Sequence, residues 1–271
     1  MFKKILYPTD LSERSERDLR WVSSHLYEPG EEFIVAHGVD VAVGMETPSV
    51  VSQAGMLLQE LCERAIPPSV AFQCRIRAGG RDEAVPAIAK EENCSMVIVT
   101  SSPTAPVVPI IQSLAIPQLI LRWENLPTVP GELLKSVVVA TDLEEERTTS
   151  VLQGLRSVLA VLDKSDHHPR ITVLHGVPMT ETQTAHQVFN QASKALELLR
   201  IDVESWNGQA ESQLVGGQTE EELPQAIVEL NTSLLVLGLP SRGDVWQLLL
   251  SNTAEALVER TKCPILIVPT D

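Results

Sequence analysis

The chain presents the same order of segments twice, and that repeat limits the fold more than any single motif. The run KKILYPTD at Lys3–Asp10 corresponds to KSVVVATD at Lys135–Asp142, and FIVAHGVD at Phe33–Asp40 to ITVLHGVP at Ile171–Pro178. A longer match joins Ile76–Ser102 to Gln213–Ser241, and IPQLILRW at Ile116–Trp123 answers CPILIVPTD at Cys263–Asp271. Between the copies lies ENLPTVPGELL, Glu124–Leu134, polar and proline-bearing as domain boundaries usually are. The expected division is one domain over 1–123, a linker over 124–134 and a second domain over 135–271.

Within each copy, short β-branched runs alternate with helical patterns. ILYPTD is followed by Ser12-Glu13-Arg14-Ser15-Glu16, a helix entry rich in caps and acids, and VVVATD by the helical SVLQGLRSVLAVL. The runs FIVAHGV, MVIVT, LLVLGL and ILIVP are almost continuously apolar, as strands are when both faces are covered. Strands alternating with helices predict a parallel sheet between helical layers, wound by right-handed crossovers. The fold class is therefore α/β: two similar doubly wound, Rossmann-like domains in tandem, each with a mostly parallel five-stranded sheet. Ligands in such sheets bind beyond the carboxyl ends of the strands. That draws attention to Asp10 and Asp142 after the first strand, to His37-Gly38 and His175-Gly176 after the second, and to Thr100 and Gly238 after the fourth.

Composition excludes several roles. The formal net charge is -15, a field that repels nucleic acid and anionic lipid. The most basic segment, CRIRAGGR at Cys74–Arg81, reads as a solvated strand and turn. Cys62, Cys74, Cys94 and Cys263 fit no metal-ligand spacing, and MFKKILYPTD is not a signal peptide, so reduced thiols in a cytoplasmic protein are expected. Asn93–Leu121 carries no charge over a length that could span a bilayer, but Pro103, Pro106, Pro109 and Pro117 interrupt it. It is not read as a membrane span.

The opening MFKKILYPTDLSERSERDL, the histidine ending the second strand and GLPSRGDVWQLLLSNTAEALVERTKCPILIVP together resemble the universal stress proteins in their tandem two-domain form. The resemblance covers nearly the whole chain. It implies the HUP-type version of the Rossmann-like fold, a cytoplasmic stress-response role exerted through protein partners, and no catalysis. It also implies an intrachain pseudo-dimer, or self-association, through the last strand of each domain, LILRW and ILIVP. An alternative comes with it, an ATP-binding module using the C-terminal pocket with at most slow hydrolysis, because some members of the family bind ATP with Mg²⁺ through G-x-x-G, nine residues, then G-[S/T].

Such a loop lets backbone N–H groups reach phosphates, and its last pair opens a helix whose N-terminus favours an anion. Here the first glycine is Gly238, the second position falls on Ser241 and the last pair on Ser251-Asn252. The candidate nucleotide-binding residues carried over are Asp142, Gly238, Ser241, Arg242, Gly243, Ser251, Asn252 and Thr253. Against phosphate stand Asp142, Glu144, Glu145 and Glu146 near the same mouth, and Asn252-x-x-Glu255 also reads as a capping-box-like helix start, with Ser251 or Asn252 as the cap. Thr100 to Pro117 spans 117 − 100 = 17 steps, whereas Gly238 to Pro264 spans 264 − 238 = 26, with no glycine between Gly80 and Gly131. The first copy is therefore expected to have lost the site. His37 and His175 read as structural, His167-His168 as loop, and no residue is assigned to catalysis or to a metal.

Overall fold

The computed structural model describes residues 3–27, 31–40, 47–101, 112–122, 126, 129–162, 168–178, 182–242, 245–248 and 251–270. The first copy runs β1 (Lys4–Pro8), α1 (Glu13–His25), β2 (Glu32–Val39), α2 (Thr47–Ala65), β3 (Phe72–Ala78), α3 (Arg81–Glu91), β4 (Met96–Ser101) and β5 (Gln118–Arg122). A 3-10 turn at Pro130–Leu134 ends the linker, and its Leu133 and Leu134 are buried. The second copy runs β6 (Ser136–Ala140), α4 (Glu145–Leu162), β7 (Arg170–Pro178), α5 (Thr182–Asn207), β8 (Ala210–Gly217), α6 (Thr219–Glu229), β9 (Leu234–Arg242), β10 (Val245–Leu248), α7 (Asn252–Arg260) and β11 (Ile265–Thr270).

Local chemistry sets these boundaries. Ser12 caps α1 by accepting the Ser15 N–H, and Glu13 and Glu16 sit in the first turn, where the helix dipole favours acids. Leu19 and Val22 then turn the apolar face of α1 to the sheet. The turn after the third strand needs a left-handed backbone in both copies, and Gly79 (φ +117°) and Gly217 (φ +142°) supply it. Less expected are Leu11 (φ 63°) and Leu143 (φ 65°), non-glycine residues in the same rare region at matching places. Each donates its N–H to the threonine two residues earlier, Thr9 or Thr141, and this bond helps hold the turn.

The strands form one sheet of order β3-β2-β1-β4-β5-β11-β9-β6-β7-β8. Each copy contributes five strands in the same winding, all parallel within the copy, and β10 lies off this path against β9. The copies meet at an antiparallel pair, β5 with β11, in the register Ile120↔Ile265, Leu119↔Leu266 and Gln118↔Ile267. The last strands therefore do pair, but within one chain. With β4 on the far side of β5 and β9 on the far side of β11, neither leaves an edge for a second chain.

Apolar side chains pack on both faces of this sheet, so the central strands are buried throughout. Arg122, at the end of β5, is 1% exposed and reaches across the seam. Its guanidinium donates to Ser101 Oγ and to the Val258 carbonyl in the last turn of α7, where the helix dipole is negative. The basic segment is neutralised locally, Arg75 by Glu92 and Arg77 by Glu91. The uncharged stretch holds β4 and β5, while Pro103, Pro106 and Pro109 lie outside the described residues. Among the described residues no helix is long and apolar enough to cross a membrane.

Candidate functional site

The carboxyl ends of β6, β7 and β9 open onto a cavity of about 570 Å³. Its inner wall is apolar, made by Val139, Val151, Leu223, Leu237 and Leu257, and its rim is polar. A short hydrogen-bonded unit builds that rim. Thr141 Oγ1 meets Thr148 Oγ1 at 2.8 Å and accepts the Leu143 N–H at 2.9 Å, while His175 Nδ1 donates to the Thr141 carbonyl at 2.7 Å. A carbonyl can only accept, so that bond fixes the proton on Nδ1. Thr9, Ser15, Leu11 and His37 repeat this unit in the first copy at 2.7, 3.1 and 2.8 Å. Both histidines are thus structural elements of the strand ends.

Asp142 sits on the rim with both oxygens engaged. Oδ1 accepts the Glu144 N–H at 3.1 Å, and Oδ2 pairs with the Arg147 guanidinium. Glu144 in turn accepts the Arg147 N–H at 2.8 Å, as a helix-capping carboxylate does. The acidic mouth is therefore neutralised: Asp142 by Arg147, Glu144 by the helix start. Glu145 and Glu146 do not line the cavity.

The first copy shows what keeps this cavity open. The repeated threonine units align Val139, Val151 and Gly238 with Tyr7, Asp18 and Thr100. In the first copy these three are larger or polar and bond to one another. Tyr7 Oη lies 3.0 Å from Thr100 Oγ1 and donates to the Ser15 carbonyl at 3.3 Å, and Asp18 bonds to Thr100. Burial raises both the Tyr7 phenol and the Asp18 carboxyl above their ordinary pKa values. Side chains fill the place that the second copy leaves empty.

A phosphate cradle does not fit the described backbone beyond Gly238. Instead of entering a loop, the chain continues as strand, Leu239 opposite Pro269 and Pro240 opposite Thr270. β10 then folds back, pairing Val245 with Arg242 and Leu248 with Ser241. Ladder pairing takes up backbone groups that a cradle would aim at phosphates, and Pro240 has no N–H to offer. The polar loop expected here is thus a short β-ribbon. Of the two capping candidates Ser251 and Asn252, helix α7 is capped by Ser251, whose Oγ accepts the Ala254 N–H at 3.2 Å.

A model of the universal stress protein family matches residues 1–108 and 134–269. The chain belongs to the universal stress protein family. Its fold is similar to that of a universal stress protein from Archaeoglobus fulgidus, at 15% identity and a TM-score of 0.71, over 99% of both chains. It is also similar to a functionally unknown protein from Pseudomonas aeruginosa PAO1, at 14% identity and a TM-score of 0.63, over 100% of this chain and 93% of the other. No curated protein matches the chain. One family segment falls in each copy, so this is a universal stress protein with two such units in tandem.

Of the residues carried over from the family pattern, Asp142, Gly238, Ser251 and Thr253 line the cavity of this universal stress protein. Ser241 and Asn252 do not. The Arg242 backbone ends β9, while its side chain and Gly243 lie outside the described residues. Sequence reasoning missed Arg147, Thr148 and Thr219, all of which line the cavity. Arg147 had a signal: it follows the acidic run of TDLEEER and sits five residues after Asp142, one helical turn into reach.

Proposed function

We propose that this universal stress protein is a non-catalytic, cytoplasmic stress-response protein that senses one nucleoside-class ligand per chain and acts through protein partners. The ligand is an adenine nucleoside or mononucleotide, bound in the C-terminal copy. One observation carries this reading: the same place is an open cavity beside Val139, Val151 and Gly238 and a filled one at Tyr7, Asp18 and Thr100. An apolar inner wall suits a base, and a rim of Asp142, Thr141, Ser251 and Thr253 offers hydrogen bonds to ribose hydroxyls. Arg147 is the one cation among the described lining residues, enough for a single phosphate and poorly matched to three. The ribbon that replaces the glycine loop supports the same limit. Catalysis is not part of the proposal, since His175 is tied to Thr141 and, among the described residues, no nucleophile is paired with a base.

Calorimetry on the full chain with adenosine, AMP and ATP with Mg²⁺ tests it. Saturable heat with adenosine or AMP is expected, with ATP no tighter. Val139→Tyr, which copies Tyr7 into the cavity, should abolish that heat while the melting transition persists. Absence of heat and of any melting shift with all three ligands at millimolar concentration would end the reading. ATP binding tighter than AMP would overturn its limit to one phosphate.

A further inference from the structure

We propose that Cys62 and Cys74 are a redox-active dithiol, which a hydroperoxide converts into an intrachain disulfide. Their sulfur atoms lie 3.7 Å apart. Cys62 stands in the last turn of α2 and is fully buried, whereas Cys74 is on β3, the outer edge strand of the sheet, and is partly exposed. Helix α2 packs directly on β3, so the fold itself holds the two thiols together. A disulfide of about 2.05 Å needs roughly 1.7 Å of further approach.

The two sulfurs are suited to different steps. Cys74 is accessible to a small solute, and its thiol is held below the ordinary value by the sulfur–sulfur contact with Cys62 and by the adjacent Arg75 cation, with burial and Glu63 opposing. The same contact, together with burial, pushes the Cys62 thiol up. Thiolate character and exposure together select the attacking cysteine. Burial pushes Cys94 and Cys263 the other way, each up to about 11. Only the first copy carries the pair: Cys74 stands opposite Val35, and at the equivalent place opposite Val173 the second copy has Ser212.

The chemistry balances with the peroxide as the oxidant. The Cys74 thiolate attacks one peroxide oxygen, the O–O bond breaks, and hydroxide leaves to become water, giving a sulfenic acid at Cys74. The Cys62 sulfur then attacks Cys74 Sγ, the S–O bond breaks, and the Cys62 proton goes to the departing hydroxide. Two thiols and one hydrogen peroxide become one disulfide and two waters, the thiols supplying both electrons.

The test treats the full chain with hydrogen peroxide, alkylates the remaining thiols and maps the peptides by mass. The expected products are a Cys62–Cys74 cross-linked peptide, reversed by dithiothreitol, and two alkylatable thiols at Cys94 and Cys263. Cys62→Ser should leave a sulfenic acid at Cys74 that dimedone traps, and Cys74→Ser should slow Cys62 oxidation by roughly tenfold or more. Cys74→Ser, at a partly exposed edge position, decides the matter even if Cys62→Ser fails to fold. Oxidation of Cys94 or Cys263 as fast as Cys74, or no cross-linked peptide in the natural chain, would overturn the proposal.

Discussion

Gly238 and Val151 approach so closely that a Cβ on the glycine would stand 2.4 Å from Val151 Cγ2. The glycine that opens the family's phosphate motif is thus used here to seat α4 on β9. In the first copy the same two positions are Thr100 and Asp18, both larger than glycine and joined by a hydrogen bond. Together with Val139, this pair decides whether a cavity exists beside it.

Gly238→Ala should therefore cost about 1–3 kcal/mol, the range for forcing an extra group into a packed core. Val151→Ala in the same chain makes room, so the double variant should be more stable than the sum of the single effects predicts, with a coupling of about 0.5–3 kcal/mol. Denaturant unfolding of the four chains measures this. Additive effects would mean that the contact is relieved elsewhere.

Arg147 should matter for ligand charge rather than for folding. Its pair with Asp142 is partly exposed, so Arg147→Gln should change stability by no more than about 1 kcal/mol. A charge-assisted bond to phosphate contributes about 1.5–3 kcal/mol, which is roughly a tenfold to hundredfold loss of AMP affinity. Adenosine, with no phosphate, should bind nearly as before. Equal losses for both ligands in calorimetry would place Arg147 against the nucleoside instead.

The repeat made the architecture legible because strand and helix periods are written locally, in runs such as VVVATD and FIVAHGVD. The seam between Ile120 and Ile265 was legible as an expectation for the same reason: both copies end in an apolar strand. The cavity was less so. Asp142, Gly238 and Ser251 could be placed by spacing, but whether the space between them is empty depends on Val139 and Val151, neighbours only in three dimensions. The ribbon at β10 was hidden because SRGDVWQL carries turn residues, and its pairing partner is the strand just before it. Cys62 and Cys74, eleven residues apart in between and without metal-ligand spacing, gave no sign that their sulfurs meet.

Arg122 should act as a clamp across the seam. Of its two charged hydrogen bonds, the one to Ser101 ties β5 to β4 within the first copy, and the one to the Val258 carbonyl joins β5 to α7 of the second. Arg122→Ala removes both and leaves a hole, and a loss of about 2–4 kcal/mol is expected. Arg122→Met keeps most of the volume and brings no charge to bury, so its loss should be clearly smaller. Thermal and urea unfolding compare the two. A larger loss for Met than for Ala would show that packing volume is not what the site needs.

Asp18 sets the last expectation, on pH. It is 8% exposed, and burial raises its carboxyl above the ordinary aspartate value of 3.8, with Thr100 and the nearby Arg14 and Arg17 opposing. A carboxyl whose folded pKa is raised binds its proton more tightly in the folded chain. Its favourable contribution is complete below 3.8 and is lost as pH rises through the folded value, so at neutral pH the ionised group weakens the fold. Asp18→Asn can still bond to Thr100 and carries no charge. It should melt higher than the natural chain at pH 7, and the difference should shrink as pH falls toward 3.8. Glu16 and Glu92, lowered by Arg64 and by Arg75, run the opposite way and are untouched by the substitution, so both chains should lose stability in acid. Melting curves between pH 4 and pH 7 separate the cases: a gain that grows toward acid, or a loss at pH 7, would mean that Asp18 is held as a favourable carboxylate.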